Sequence, residues 1–163
     1  MTDFDRHPEI DVTIDGADEC DENLNLIKGG GGCQTQEKIV AYNSKTLVIV
    51  ADYRKKSKTL GENWTKGVPL EILPFAYPAV VRKIEKEMGG KPKLRMAVNK
   101  AGPEISDFGN FLVDVQFGLI HEPHKLDLAL RSIPGVLETG LFCNMAKHVF
   151  LGQPDGSVLT LTK

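Results

Sequence analysis

The chain has 163 residues, a length typical of one domain or two small ones. Apolar residues make up 41% and charged residues 26%, which excludes a disordered chain. Lysine and arginine number 20 against 22 aspartates and glutamates, so the net charge is −2. This balance excludes the basic surface on which nonspecific nucleic-acid binding depends.

We expect neither a membrane span nor a secretory signal. No stretch approaches roughly 18 consecutive apolar residues, and residues 1–6 lack the basic and apolar regions of a secretory signal. The three cysteines, Cys20, Cys33 and Cys143, are widely spaced and form no C-x-x-C pair. This pattern argues against a disulfide framework or a zinc site, and we expect a cytoplasmic protein.

The first part of the chain follows the order of an α/β fold. Residues 10–14 alternate apolar and polar side chains and predict a strand, and residues 23–27 predict a second short extended segment. Residues 35–43 predict a helix, and the continuous apolar run 46–51 predicts a strand buried on both faces. Strand, loop, helix and strand in this order are typical of a parallel sheet.

The middle of the chain has a different order of elements. Strands are expected at residues 70–73, 94–98, 111–115 and 136–138, helices at 77–88 and 123–131, and a hairpin turn at 107–110. The order β-α-β-β-α-β is that of a ferredoxin-like unit. A last hairpin follows, with strands at 149–151 and 158–161 around a turn at 154–156.

We therefore predict an α/β fold in two domains. A partial Rossmann-like parallel sheet layer is expected from residues 1–66 and 145–163. A ferredoxin-like α+β domain is expected as an insertion at residues 67–144. An α/β layer built only from the two ends of the chain is small and has few helices to cover its faces.

Five charged residues and a glycine run crowd one short segment of this layer: Asp15, Asp18, Glu19, Lys28 and Glu37, with Gly29, Gly30, Gly31 and Gly32 between them. In open α/β sheets, ligands bind beyond the carboxyl ends of the strands, where Asp15, Asp18 and Lys28 are expected. The glycines allow backbone N–H groups to approach a ligand closely and lead into a helix N-terminus, which binds anions. No G-K-[ST] follows the run, so it is not a Walker A loop, and its spacing does not fit a dinucleotide fingerprint.

Each of these residues also has a simpler interpretation. Taken singly, Glu37 is explained as an acid in the first turn of a helix, where the helix dipole favours it. Asp15 is explained as a turn residue, and Lys28 as a solvated residue at the end of a strand. His121 and His124 are three residues apart, but Pro123 makes this segment a helix entry and no third ligand is near, so we expect no metal. The coincidence of carboxylates, an ammonium group and an anion-binding loop within one segment favours a functional site.

The sequence resembles the type A ribose-5-phosphate isomerase family along essentially its whole length. The resemblance is carried by residues 15–19 (DGADE), 23–32 (NLNLIKGGGG), 37–40 (EKIV), 50–55 (VADYRK), 95–98 (RMAV), 107–111 (DFGNF), 133–136 (IPGV) and 139–142 (TGLF). The family interconverts ribose 5-phosphate and ribulose 5-phosphate through an enediolate without metal or organic cofactor, in the non-oxidative branch of the pentose phosphate pathway.

The resemblance implies roles for individual residues. Glu37 matches the general base of the family, and Asp15, Asp18 and Lys28 match residues that handle the sugar oxygens and the developing oxyanion. The glycine run is expected to bind substrate. Lys55 resembles a position that holds the substrate phosphate, although the solvated run 54–56 is an alternative reading of it.

The resemblance also raises expectations about the whole protein. A sugar phosphate is the expected small-molecule partner, and a homodimer or homotetramer the expected assembly, with no nucleic-acid or membrane partner. Family members carry further strands and a Thr/Ser/Gly-rich phosphate loop upstream of the segment DGADE. We therefore expect this chain alone to be nearly inactive, and the alternative function is a noncatalytic sugar-phosphate-binding or assembly module.

Overall fold

The computed structural model describes residues 3–163, which form three sheets and three α-helices. The strands are β1 Ile10–Asp15, β2 Glu19–Cys20, β3 Leu26–Ile27, β4 Ser44–Asp52, β5 Val68–Ile72, β6 Lys91–Leu94, β7 Phe111–Gln116, β8 Val136–Thr139, β9 Leu141–Phe142, β10 Ala146–Gly152 and β11 Val158–Thr162. The helices are α1 Gln34–Tyr42, α2 Tyr77–Lys83 and α3 Pro123–Arg131. None of the helices described is long and apolar enough to cross a membrane.

The first sheet has the order β1-β4-β10-β11. The pairs β1–β4 and β4–β10 are parallel, and β10–β11 is the antiparallel hairpin expected at the end of the chain. Helix α1 connects the small strand β3 to β4, as the strand–loop–helix–strand order predicts. Because β1 and β4 are parallel, the carboxyl end of β1 at Asp15 lies beside Ile49 of β4.

One face of this sheet is buried and the other is open among the residues described. Leu47 and Ile49 of β4 are buried, whereas Val50 is about half exposed. Ile14 of β1, which faces the same side as Val50, is 70% exposed. The prediction that residues 46–51 are buried on both faces is therefore wrong, because α1 and the small sheet cover one face only.

The middle of the chain forms a second sheet with the order β6-β7-β5-β8, in which every neighbouring pair is antiparallel. Its elements follow one another as β-α-β-β-α-β, and helices α2 and α3 contribute Val80 and Leu130 to its core. This is the ferredoxin-like arrangement that the sequence predicts. The domain boundaries at 66/67 and 144/145 stay a prediction.

One strand and one helix in this part of the chain differ from the prediction in position or type. The strand expected at 94–98 is wrong in position, because the regular strand is Lys91–Leu94. From Arg95 the chain folds back on itself: Glu104 N–H donates to Arg95 O and Ala97 N–H donates to Gly102 O, which replaces regular pairing with β7. The helix expected at 77–88 is α-helical to Lys83 and continues as a π-helical turn over Ile84–Met88.

The third sheet, β2-β3-β9, joins the two larger ones. Leu26 and Ile27 of β3 are fully buried and belong to different hydrophobic clusters, Leu26 to the cluster under the first sheet and Ile27 to the cluster of the second. Strand β9 contributes Phe142, the largest fully buried side chain. Lys28 and the glycine run therefore follow directly after β3, the strand at which the two hydrophobic clusters meet.

Candidate active site

A buried ammonium group lies at the centre of the candidate site. Lys28 directly follows β3, and its side chain is only 3% exposed. Its Nζ donates to the carbonyl oxygen of Gly16 at 2.5 Å and lies 2.9 Å from Asp15 Oδ2. It also lies 3.2 Å from Glu37 Oε2, at ion-pair distance but without the direction of a hydrogen bond. A buried cation needs such partners, because an unpaired charge in the interior is strongly destabilising.

Glu37 lies in the first turn of α1, partly buried above Lys28. Burial raises the pKa of its carboxyl group; Lys28 opposes the rise, and the charges of Asp15 and Asp18 add to it. A carboxylate whose pKa is raised toward neutrality is suited to take up and return a proton. The stability that the protonated form contributes is lost as the pH rises through this raised pKa.

The two aspartates have different partners. Asp15 ends β1, accepts the Gly16 N–H at 2.7 Å and forms the ion pair with Lys28. Asp18 Oδ2 accepts the Gly30 N–H at 2.7 Å. The aspartates thus connect the end of the first strand to Lys28 and to the glycine run.

Close approach explains two of the glycines. A Cβ on Gly30 would lie 2.7 Å from Asp18 Oδ1 and 2.8 Å from Trp64 Cη2, so no larger residue fits there. Gly29 has a φ of 98°, in the left-handed region that favours glycine, and its Cβ position is filled by the Gln34 side chain.

The other two glycines lie in different surroundings. Gly31 has no atom near its Cβ position and lies open to the cleft. Gly32 faces Leu112 of the second sheet and does not line the cleft, although its N–H closes the turn onto Gly29 O.

Lys55 lines the same cleft as Glu37, in a 3₁₀ turn that follows β4. Its ammonium group is 5.7 Å from the centre of the Trp64 ring, within the range of a cation–π contact. Trp64 lies between Lys55 and Gly30 and donates its indole N–H to Gly67 O.

The predicted site residues thus surround one cleft of about 300 Å³, with the exception of Gly32. Gly16 and Ala17 also line it. An acid–base carboxylate beside a fixed cation and free backbone donors is the arrangement needed to remove a proton next to a carbonyl group and to stabilise the resulting oxyanion. Within residues 3–163, no group of three or more His, Cys, Asp or Glu side chains is placed to hold a metal ion.

Sequence reasoning missed three residues at this site. Arg95, which follows β6, contacts the glycine run from behind, Asp114 of β7 binds Arg95, and Trp64 contacts Gly30. Arg95 stands within the quoted segment RMAV, but nothing local in that segment indicates that its side chain reaches a loop 65 residues earlier in the chain.

The family model for ribose 5-phosphate isomerase A (phosphoriboisomerase A) matches residues 1–156. This chain belongs to the ribose 5-phosphate isomerase A family. Curated relatives named ribose-5-phosphate isomerase include one from Dictyostelium discoideum, 58% identical over 160 residues, and one from Sus scrofa, 56% identical over 158 residues. The matches cover 96% and 97% of this chain, and 68% and 52% of the respective relatives. The chain therefore spans about half the length of the pig protein that it matches.

Solved structures of the family share the fold. One, a D-ribose-5-phosphate isomerase in complex with phospho-erythronic acid, has a TM-score of 0.94 at 41% identity and covers 99% of this chain and 69% of that one. Another, from Methanocaldococcus jannaschii, has a TM-score of 0.89 at 42% identity, covering 98% and 68%. The α/β architecture predicted from the sequence is thereby confirmed.

The electrostatic coupling of Lys28 and Glu37 gives a direct prediction. Replacement of Lys28 by Met removes the nearest positive charge from Glu37, so the already raised pKa of Glu37 is expected to rise further. The measurement is an NMR titration of the Glu37 side-chain carboxyl carbon. Lys55→Met is the matched control and should leave this pKa almost unchanged. An equal or lower Glu37 pKa in Lys28→Met would contradict the coupling.

Proposed function

We propose that this chain carries the catalytic residues for the isomerisation of ribose 5-phosphate and ribulose 5-phosphate. The observation that carries the proposal is the carboxylate of Glu37, with its raised pKa, 3.2 Å from the buried ammonium group of Lys28 in an open cleft. The names of the relatives and the complex of a related structure with phospho-erythronic acid support the substrate class. Neither the cleft nor the relatives favour the noncatalytic alternative.

In the proposed reaction, Glu37 takes the proton from C2 of the aldose. The electrons of the C2–H bond form the C1–C2 double bond, and the carbonyl electrons move onto O1 to give the enediolate. Glu37 then returns the proton to C1, while a proton moves from the hydroxyl group on C2 to O1 and the carbonyl group forms at C2. Hydrogen moves within one molecule, so the reaction needs no external oxidant or reductant.

The other groups of the cleft stabilise the oxyanion and bind the sugar hydroxyl groups. Lys28 and the backbone N–H of Gly31 face the side on which the oxyanion forms, and donors fixed in place before the reaction stabilise it most effectively. Asp15 and Asp18 accept hydrogen bonds from the sugar hydroxyl groups and exchange protons with them. Because Asp15 also neutralises Lys28, the ammonium group does not have to leave its buried position during the reaction.

The first test replaces Glu37 with Gln, which keeps the shape of the side chain but removes the base. We expect kcat to fall by about 10²–10⁴-fold, the range typical of general-base catalysis. Calorimetric binding of phospho-erythronic acid should be retained, which distinguishes lost chemistry from lost binding. Glu122→Gln, on an exposed acid far from the cleft, is the matched control.

Because the match covers only 68% of the Dictyostelium relative, turnover is measured on two proteins. The first is the 163-residue chain, and the second is a fusion that adds the part of the Dictyostelium relative outside the matched region. Turnover that is lost in Glu37→Gln supports the proposal. Binding of phospho-erythronic acid without turnover, in both proteins, would establish the noncatalytic alternative instead.

We further propose that Lys55 binds the substrate phosphate. Lys55 lines the cleft, and its ammonium group lies over the Trp64 ring rather than in the ion pairs of Lys28 with Asp15 and Glu37. Lys55→Met is expected to raise KM by about 10-fold, the equivalent of one charge-assisted hydrogen bond, with a much smaller change in kcat. Steady-state kinetics with ribose 5-phosphate decide this. A fall in kcat at constant KM would place Lys55 in the chemical step.

We also propose a cytoplasmic homo-oligomer. All three cysteines are free, which fits a reducing compartment. The open face of the first sheet carries Val12 at 52% and Ile14 at 70% exposure, and apolar faces of this kind favour association. Light scattering should give a mass above that of the monomer, and Ile14→Lys should lower it. A monomeric parent chain would contradict the proposal.

A further inference from the structure

Arg95 reaches from the second sheet to the back of the glycine run. It directly follows β6, and its guanidinium group donates twice to Asp114 of β7, from Nε to Oδ2 at 3.0 Å and from Nη2 to Oδ1 at 2.6 Å. The same group donates from Nη2 to Gly29 O at 3.0 Å and from Nη1 to Gly30 O at 3.3 Å. One side chain therefore holds two consecutive carbonyl groups of the loop.

These two contacts fix the direction of the N–H groups on the other side of the loop. In a trans peptide the C=O and N–H point in opposite directions, and residues 3–163 contain no cis peptide. Because Gly29 O points to Arg95, the Gly30 N–H points away from it and meets Asp18 at 2.7 Å. Because Gly30 O also points to Arg95, the Gly31 N–H must point toward the side of Asp18, which is the cleft.

The Gly31 N–H is the donor left free by this arrangement. Among residues 3–163, no protein acceptor bonds it, and Gly31 lines the cleft with nothing near its Cβ position. The hydrogen bond from Gly32 N–H to Gly29 O closes the turn but does not hold the Gly30–Gly31 peptide within it, and glycine has the largest backbone freedom of any residue. Arg95 is the group that bonds the carbonyl of this peptide and so holds its direction.

We propose that Arg95 and Asp114 are positioning residues that hold the Gly30–Gly31 peptide with its N–H directed at the oxyanion of the reaction intermediate. The catalytic part of this inference rests on the isomerase function proposed above. The orientation of the loop does not, because it is a property of the protein without substrate. The second sheet thereby takes part in the active site without contributing a group that touches the substrate.

The chemistry of the pair explains why these two residue types are needed. A guanidinium group is planar and donates from several nitrogens at fixed angles, so it can bind a carboxylate and two carbonyl groups at once. Asp114 holds the guanidinium plane and neutralises its charge at a site where the Arg95 side chain is only 12% exposed. A lysine in place of Arg95 keeps the charge but cannot fill four acceptor positions with this geometry.

The experiment compares Arg95→Met, Arg95→Lys and Asp114→Asn with the control Lys91→Met. Lys91 is an exposed residue of the same strand that does not contact the loop. In the protein without substrate, NMR reports on Gly30 through amide hydrogen exchange, because its N–H is bonded to Asp18, and on the unbonded Gly31 N–H through its amide chemical shift. In Arg95→Met and Asp114→Asn we expect exchange at Gly30 to accelerate by about 10-fold or more, as for the loss of a charge-assisted hydrogen bond, and the Gly31 amide shift to change. Amides of β5 and β7 should keep their protection.

Kinetics give the second readout. In Arg95→Met, kcat is expected to fall by about 10²-fold with little change in KM, because a misplaced donor acts on the transition state rather than on binding. Arg95→Lys should recover only part of the loss. Millimolar methylguanidinium should restore activity to Arg95→Ala but not to Lys28→Ala, a result that general destabilisation of the fold would not give.

The two proposals fail in different ways. If neither the 163-residue chain nor the fusion shows isomerase turnover, the proposed function is wrong, and the amide measurements still decide the role of Arg95. If the exchange of the Gly30 amide and the chemical shift of the Gly31 amide are unchanged in the folded variants Arg95→Lys and Asp114→Asn, the positioning role is overturned. It is equally overturned if Arg95→Met raises KM as much as it lowers kcat.

Discussion

The burial of one ammonium group constrains the rest of the site. Lys28 Nζ is surrounded by Gly16 O, Asp15 and Glu37, which belong to the loop after β1, the end of β1 and helix α1. Removal of a charge from water costs several kcal/mol unless its partners are well placed, so these three segments must converge on Lys28. The position of the helix relative to the first strand is thus tied to a single cation.

The same cation gives the carboxylates different roles. Asp15 lies 2.9 Å from Lys28 and Asp18 accepts a backbone N–H, so each has a partner that stabilises its negative charge. Glu37 is more strongly affected by burial than by Lys28, and its pKa is raised. The raised pKa suits Glu37 to proton transfer, whereas Asp15 and Asp18 are held by fixed donors.

The limits of sequence reasoning follow from distance along the chain. Asp15, Asp18, Lys28 and Glu37 lie close together in the sequence, so their patterns and spacing could predict one site. Arg95 contacts a loop 65 residues earlier, and its own segment, predicted as a strand, leaves the regular ladder there. That contact depends on how the second sheet docks on the first, which local patterns do not specify.

Helix α1 explains why the inserted sheet belongs to the active site. The side chain of Thr35 bonds to buried Glu71 of β5, and Lys38 donates to Glu138 of β8 at 2.9 Å. Thr35 and Lys38 are about one helical turn apart and share the face toward the second sheet, whereas Glu37 between them points to the cleft. A rotation of the helix that moved Glu37 would also break these contacts and leave buried polar groups unpaired, which costs free energy. The second sheet therefore sets the direction of Glu37, the proposed base, through α1, and Arg95 is proposed to act on the glycine loop in the same way.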